Sequence, residues 1–438
     1  MPQPYPAAQP PTGGFYRPRN PRASPLFQCV ARHHDELATA GLITRSVETE
    51  VLERFLDCGD LHQGFARIYC DQCGHDYLLA YSCKTRYFCP SCHQKRMLAY
   101  GEWIEEQILA PVPHRQYVFA LPRLVRPYFR YHRAYHGQLC RLVADLLRTG
   151  FTTMMPGGQP AFILYVQTFG DLVTFNPHIH ALVADGVFMP SGTFRVLPPL
   201  ASDVLTEALR HKVLACLCAE GRLDPDMVGR MLKWRHSGFS VHNQVRVQAG
   251  DADGRRRLAR YMIRNPFALA KMTYDPKTTM VIYRSQLHAT LKRNYQLMPA
   301  LKWLRLLLNH VPDKYEHLVR YYGYYSNRSR GARRLAEPQG EQHVQVTVDD
   351  RPPDRRCKAT WARLIQKVYE VDPLECPNCG ATMRIIALID EPTAIERILK
   401  HLKVWDPGPA PIQPAGRDPP WPQGENLPLT YHPVPDIA

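Results

Sequence analysis

No stretch of 18 or more apolar residues occurs in this 438-residue chain, so no membrane-spanning helix is predicted. The opening segment MPQPYPAAQPPTGGFYRPRN lacks the apolar core of a secretory signal, so a cytoplasmic setting is expected. No internal repeat is visible, which argues against a solenoid. No GxxxxGK[ST] loop is present, so no nucleotide cofactor is expected. Acid is short: 40 Asp and Glu against 55 Lys and Arg leave a formal charge of +15. Such a surplus favours a polyanionic partner, and nucleic acid in particular where the bases cluster with aromatics. Thirteen cysteines make an odd number. Without an export signal disulfides are disfavoured, and close cysteine pairs read as metal ligands.

Apolar residues make up 45% of the chain, enough for two or three cored domains. Residues 1–25 carry eight prolines and 406–438 carry ten, and both are expected to be extended or disordered tails. Helical spacing is expected over 30–66 and again in KRMLAYGEWIEEQIL, where Met97, Trp103, Ile104 and Ile108 share a face. QYVFALP, AFILYVQTF and HIHALVADGVF read as strands, the last with a turn signal at Asp185-Gly186. Helices are expected at 125–149, 201–220 and 223–235, and FSVHNQVRVQAG reads as one further strand. Strands alternating with helices over 115–280 predict one α+β or α/β domain. Residues 336–358 read as a polar linker. Beyond it, TWARLIQKVYEVD (helix), MRIIALI (strand) and EPTAIERILKHLKV (helix) suggest a small C-terminal module over 359–405.

Cys70-x2-Cys73 and Cys89-x2-Cys92 are 15 residues apart. Zinc takes four tetrahedral thiolate or imidazole ligands, and two such knuckles supply four. These four cysteines are therefore the expected structural zinc site, although His75 and Cys83 also lie in the segment and either could substitute or serve a second ion. Four thiolates leave no open coordination position, so the site is not catalytic. Cys376-x2-Cys379 is a lone knuckle, with Cys357 and His401 as the nearest other donors, and whether it binds metal stays open.

His178 and His180 are two apart in the strand TFNPHIHALVADGVF and so project from one face. Two convergent imidazoles suit a divalent ion that polarises a phosphoryl group. A nucleophile would have to come from elsewhere. RRRLARYMIRNPFALAK, residues 255–271, has six basic side chains, no acid, and Tyr261 on a helix that Pro266 should end. Arg257, Arg260, Arg264 and Lys271 are candidate phosphate contacts. RYYGYYSNRSRGARR, residues 320–334, combines Arg320, Arg328 and Arg330 with Tyr321, Tyr322 and Tyr325, a pattern that holds phosphates and stacks bases. Gly323 and Ser326-Asn327 suggest a loop there. Tyr321 and Tyr325 remain rival nucleophiles.

CxxCG…SCKxRxFCPSCxxKRM, FALP, NPHIHALVADGVF, YMIRNPFA and VRYYGYYSNRSRG occur in this order, and the set resembles the rolling-circle insertion-sequence transposases of the IS91 group, HUH single-strand endonucleases. The tail DPLECPNCGATMRIIALI…IERILKHL fits too, so the resemblance spans roughly residues 30–405. It implies an α+β fold: a central HUH-type antiparallel sheet with helices over 111–335, after a helical and four-cysteine zinc module over 26–110. It implies that His178 and His180 hold Mg²⁺ or Mn²⁺, with Gln167 on the preceding strand as a third ligand. Tyr261 would attack single-stranded DNA at the ends of a mobile element, forming a 5′-phosphotyrosine and freeing a 3′-hydroxyl, with no membrane partner and with the bacterial nucleoid as its place of action. The best-known members carry two tyrosines four apart, whereas Arg257 and Asn265 flank Tyr261 at that spacing, so one tyrosine serves or Tyr321 or Tyr325 contributes. A non-catalytic zinc-containing DNA-binding regulator, or a plasmid replication initiator or relaxase, are the alternative readings.

Overall fold

The computed structural model describes residues 20–287, 292–336 and 374–405. Most of both proline-rich tails, nearly all of the expected linker, Cys357 and the helix expected at 360–372 lie outside the described residues. Order begins earlier than the sequence suggested. Ser24 accepts a hydrogen bond from the Phe27 N–H, and Pro25 opens α1 (Pro25–Thr39) at the one helical turn where its missing N–H costs nothing. Leu26, Cys29, Val30, His33 and Leu37 of α1 are buried, one helical face inward. α2 (Ser46–Leu56) packs beside it. A hairpin follows, β1 (Phe65–Tyr69) and β2 (Asp76–Ala80), then α3 (Pro90–Gln107).

The centre of the molecule is one antiparallel sheet. β3 (His114–Ala120), α4 (Arg126–Tyr131), α5 (Ala134–Met154), β4 (Gln159–Phe169) and β5 (Phe175–Phe188) come in succession. Next are β6 (Phe194–Val196), α6 (Ser202–Ala219), α7 (Pro225–Lys233), β7 (Ser240–His242), β8 (Arg246–Val247) and α8 (Ala252–Met262). The strand order is β12-β4-β5-β3-β7, with β6 on β5, β8 on β3, and β12 spanning Val319–Gly323. α5 and α6 cover one face through Leu139, Val143, Leu147, Leu209 and Val213 against Phe162, Leu164, Ile179 and Ala181. α3 and α8 cover the other, packing Ile104, Leu258, Ala259 and Met262 on Ile163, Tyr165, Leu182 and Ala184. β4 and β5 are buried along nearly their whole length because both faces are covered.

A second antiparallel sheet, β11-β10-β9, is built from β9 (Met272–Asp275), β10 (Met280–Arg284) and β11 (Tyr295–Pro299). With α9 (Ala300–Leu308) it shares a core with α1 and α2 around Leu52, Phe55, Trp303 and Leu307. That core contains Glu48, fully buried. Burial alone would raise its pKa. Hydrogen bonds from Arg305 and the Thr44 N–H, with the charges of Arg305 and Arg45, instead hold it down to about 2. α10 (Asn327–Ala336) follows β12, and the C-terminal segment supplies β13 (Arg384–Ile389) and α11 (Pro392–His401).

Several expectations need correction. Asp185-Gly186 is not a turn: β5 runs straight through it. Buried Asp185 is held by Arg115 and Arg246, at 2.9 and 2.6 Å. Gly186 is there because a Cβ would lie 1.9 Å from the Arg195 carbonyl oxygen of β6. FSVHNQVRVQAG is two short strands rather than one, broken where the Asn243 amide turns aside to donate to the Leu200 carbonyl at 2.9 Å. Residues 320–334 are a strand and a helix, not a loop. The C-terminal strand does not stand apart: β13 pairs antiparallel with β1, giving the sheet β13-β1-β2.

Candidate active site

His178 and His180 sit mid-strand on β5, flanked by β3 and β4. They share the face covered by α3 and α8, and are 8% and 3% exposed. Their Nε2 atoms lie 3.0 Å apart, so both rings converge on one point. The outer nitrogens are held. His178 Nδ1 donates to the Asn176 carbonyl at 2.7 Å, and the Gln116 amide nitrogen lies 2.7 Å from His180 Nδ1. Burial, reinforced by the Arg264 and Arg126 charges, lowers His178 to about 4. Burial, then His178 and Arg264, lowers His180 to about 2. Both rings are therefore neutral at pH 7, the state in which imidazole ligates a metal.

Gln167 is directly opposite His178 on β4. Its amide nitrogen donates to the Met262 carbonyl at 2.8 Å and reaches the Tyr261 carbonyl at 3.3 Å, which ties β4 to the end of α8. Its Oε1 is buried without a hydrogen-bond partner. Tyr261 is the one member of this group open to solvent, 42% exposed. Its ring stands edge-on to His180, centroids 5.7 Å apart, and the Arg264 guanidinium lies over the Tyr261 ring, 4.5 Å from its centroid. The Phe169 ring also faces that guanidinium at 5.4 Å.

The basic run around Tyr261 is not the free patch its composition suggested. α3 supplies the acids. Glu105 takes Arg255 at 2.6 Å, and Glu102 takes Arg260 at 2.6 Å and Arg256 at 3.1 Å. His93 Nε2, on the first turns of α3, donates to the Ile263 carbonyl at 2.6 Å. So Arg260 clamps the helix, and Arg264 stacks on Tyr261, whereas Arg257 and Lys271 stay exposed. In the second basic cluster, Arg328 is exposed, Arg320 and Arg330 are partly so, and Arg330 lies over the Tyr321 ring. Tyr321 and Tyr322 point to opposite faces of β12. Tyr321 lies 3.4 Å from the Tyr100 hydroxyl, and Tyr322 stacks on Phe162 at 5.2 Å. Tyr325 is 0% exposed, 2.8 Å from His114 Nε2, and accepts from the Ala110 N–H.

The cysteines fall into two sets, and neither is the expected one. Cys58, Cys83, Cys89 and Cys92 form one, with Sγ distances of 3.5, 3.7 and 3.8 Å; Cys70, Cys73, Cys376 and Cys379 form the other. The reason is the hairpin. Cys70 and Cys73 sit in the β1–β2 turn, while Cys58 and Cys83 sit at its open end, where the Gly59 N–H donates to the Tyr81 carbonyl. Five residues of strand separate the ends by about 17 Å. The two CxxC pairs therefore cannot share an ion, and Cys83 belongs with Cys89 and Cys92. His75 and His401 are in neither set. No local spacing singles out Cys58. Gln116 could have been found, since it alternates with Val118 on the His180 side of β3.

Two family models match the chain in order. One, described as transposase zinc-binding domain, covers residues 29–121; the other, described as putative transposase, covers 161–333 and so includes His178, His180 and Tyr261. The chain is also 25% identical over 365 residues to the transposase for insertion sequence element IS801 of Pseudomonas savastanoi pv. phaseolicola, covering 79% of this chain and 85% of that one. This chain belongs with the IS91-type insertion-sequence transposases. The transposase is 34% identical over 129 residues to putative transposase y4qJ of Sinorhizobium fredii, 28% of this chain and 31% of the other. No solved structure matches it. Among the described residues no helix is long and apolar enough to cross a membrane.

Proposed function

We propose that this transposase cuts and rejoins single-stranded DNA at the ends of its element by transesterification, with Tyr261 as nucleophile. The observation that carries the reading is the solvent-open Tyr261, its ring centroid 5.7 Å from that of His180 in a buried, neutral histidine pair. In the forward step the Tyr261 Oη attacks a backbone phosphorus, its proton passing to solvent. A tyrosyl–phosphate bond to the 5′ side forms, the bond to the 3′ oxygen breaks, and that oxygen leaves as a 3′-hydroxyl. Attack by a 3′-hydroxyl of another strand reverses the exchange, so no nucleotide is consumed.

His178, His180 and Gln167 fit a divalent ion. Two Nε2 atoms converge, and the Gln167 Oε1 is a buried oxygen lacking a partner. Turned end for end, the Gln116 amide would accept from His180 Nδ1–H and leave both Nε2 lone pairs for the metal. Mg²⁺ or Mn²⁺ there would polarise the phosphoryl oxygens. The chain's own groups do the rest. Arg264, over the Tyr261 ring, would offset the negative charge that builds during attack, and the Glu102 and Glu105 clamp fixes the helix that carries Tyr261. Arg257, Lys271 and Arg328 are exposed and suited to hold phosphates; Arg260 serves the clamp, and Tyr321 and Tyr322 are committed to packing. Tyr325 is sealed in the interior and cannot reach DNA, which supports a one-tyrosine mechanism.

The test is covalent-adduct formation on labelled single-stranded DNA bearing the element's end. Wild type should trap DNA with Mg²⁺ or Mn²⁺ but not with chelator, and His178→Ala should reduce trapping by at least 100-fold. A non-catalytic DNA-binding regulator would bind without trapping, and DNA binding indifferent to His178→Ala with no adduct would favour it. An adduct with a replication or transfer origin, but none with element ends, would favour an initiator or relaxase.

A further inference from the structure

We infer that Cys70, Cys73, Cys376 and Cys379 hold a structural zinc ion of their own, and that this ion clasps the C-terminal segment onto the N-terminal hairpin. The zinc-binding family match ends at residue 121 and so holds only half of this set. The inference stands independently of the cleavage chemistry.

Four sulfurs lie within 4.8 Å of one another, with Cys70 and Cys379 at 3.6 Å and Cys73 and Cys376 at 3.4 Å. Four thiolates at zinc–sulfur distances of about 2.3 Å sit about 3.8 Å apart in a tetrahedron. A disulfide needs about 2.05 Å. The spacing is that of ligands around an ion.

The two turns that present these sulfurs are the same turn built twice. The Cys70 N–H donates to the His75 carbonyl and the Cys376 N–H to the Ala381 carbonyl, both at 2.8 Å. The Gly74 N–H returns to Cys70 at 3.0 Å and the Gly380 N–H to Cys376 at 2.9 Å. Both glycines sit at φ +73°, a left-handed conformation that other residues adopt only with strain. Repetition of one knuckle 306 residues later (Cys70 to Cys376), facing the first, is hard to account for by packing alone. Among the described residues, packing here is thin. The buried core under the knuckles is Ile68, Cys70, Cys376 and Met383, and α11 adds little more than Ile395 and Leu399 against Phe65. Cores this small are usually completed by a metal.

The remaining contacts fit a clasp. β13 pairs with β1 from Phe65–Ile389 to Tyr69–Arg384, and Arg384 meets Asp71 with both nitrogens, at 2.6 and 2.9 Å. The pair is exposed, so its own contribution is small. The nuclease sheet is thus inserted into a zinc unit made from both ends of the described chain, and the ion joins those ends.

Metal content of the full-length protein, measured by plasma mass spectrometry, tests this. Two zinc ions per chain are expected, falling to one in the double variant Cys376→Ser/Cys379→Ser. In that variant β1 amides should exchange hydrogen at least tenfold faster, while α8 amides hold their protection. One zinc in the wild type, or two retained in the variant, would overturn the site. So would Cys70–Cys379 and Cys73–Cys376 disulfides in protein purified under reducing conditions. Unchanged β1 exchange would overturn the clasp. Should the variant fail to fold, the cobalt-substituted wild type decides, since the inference requires thiolate-to-cobalt absorption from two sites rather than one.

Discussion

Gln167 and Gln116 flank the histidine pair from opposite strands and have different duties. Gln167 offers an unpartnered Oε1, whereas Gln116 orients the His180 ring. Gln167→Ala should weaken Mn²⁺ binding by about 10- to 100-fold, and Gln167→Glu should retain it, read by titration calorimetry. Equal loss in both variants would show that the side chain acts through its bonds to α8 instead. Tyr325→Phe should cost about 1 kcal/mol through the lost His114 and Ala110 contacts while leaving adduct yield unchanged. The histidine pair was legible in the sequence because strand geometry forces i and i+2 to one face. Cys58 and the Cys376 partnership were not, because nothing in local spacing reports which way a hairpin carries its turn.

At the scale of elements, the contact between α3 and α8 fixes the helix that carries Tyr261, the proposed nucleophile. The Arg255 and Glu105 side chains are 4% and 10% exposed, so Glu105→Gln leaves a buried guanidinium short of its counter-charge. A loss of about 3 kcal/mol is expected in denaturant unfolding, together with slower adduct formation. Arg257→Ala lies on the exposed side of the same helix and should change stability by less than about 0.5 kcal/mol. It should instead weaken binding to single-stranded DNA across sequences and lower the salt slope by about one unit. Strand and helix positions in the central sheet followed from periodicity and from Pro and Gly punctuation. The failures share a cause. Asp185-Gly186 has the composition of a turn, yet partners elsewhere in the chain, Arg115, Arg246 and the β6 backbone, make it strand. Likewise the acid-free run at 255–271 looked like a DNA surface because its carboxylates come from α3, about 150 residues earlier.

For the whole molecule, buried histidines set the response to acid. Burial lowers His114 to about 3 and His310 to about 4, against about 6.5 when unfolded. His310 lies between the Thr168 hydroxyl and the Val173 carbonyl; burial holds it neutral against the pull of the Val173 hydrogen bond, with Arg133, Arg130 and Arg45 adding positive potential. The unfolded chain therefore binds more protons than the folded one between those values. Their stabilising effect is complete above about pH 6.5 and is lost as pH falls toward 4, by up to about 1.4 kcal/mol per pH unit for each ring. Glu48, depressed to about 2, adds its loss below about pH 4.5. The unfolding temperature should be level from pH 7 to 8 and decline from pH 6.5 downward. A level trace down to pH 5 would contradict the burial of these rings.

In the proposed mechanism one tyrosine, Tyr261, carries the DNA. The most direct measurement is to trap the covalent complex on single-stranded DNA, digest it with nuclease and trypsin, and locate the nucleotide by mass spectrometry. A 5′-phosphorylated nucleotide is expected on the peptide Tyr261–Arg264, and none on peptides containing Tyr321, Tyr322, Tyr324 or Tyr325. A nucleotide on any of those tyrosines, or an undiminished adduct in Tyr261→Phe, would contradict it.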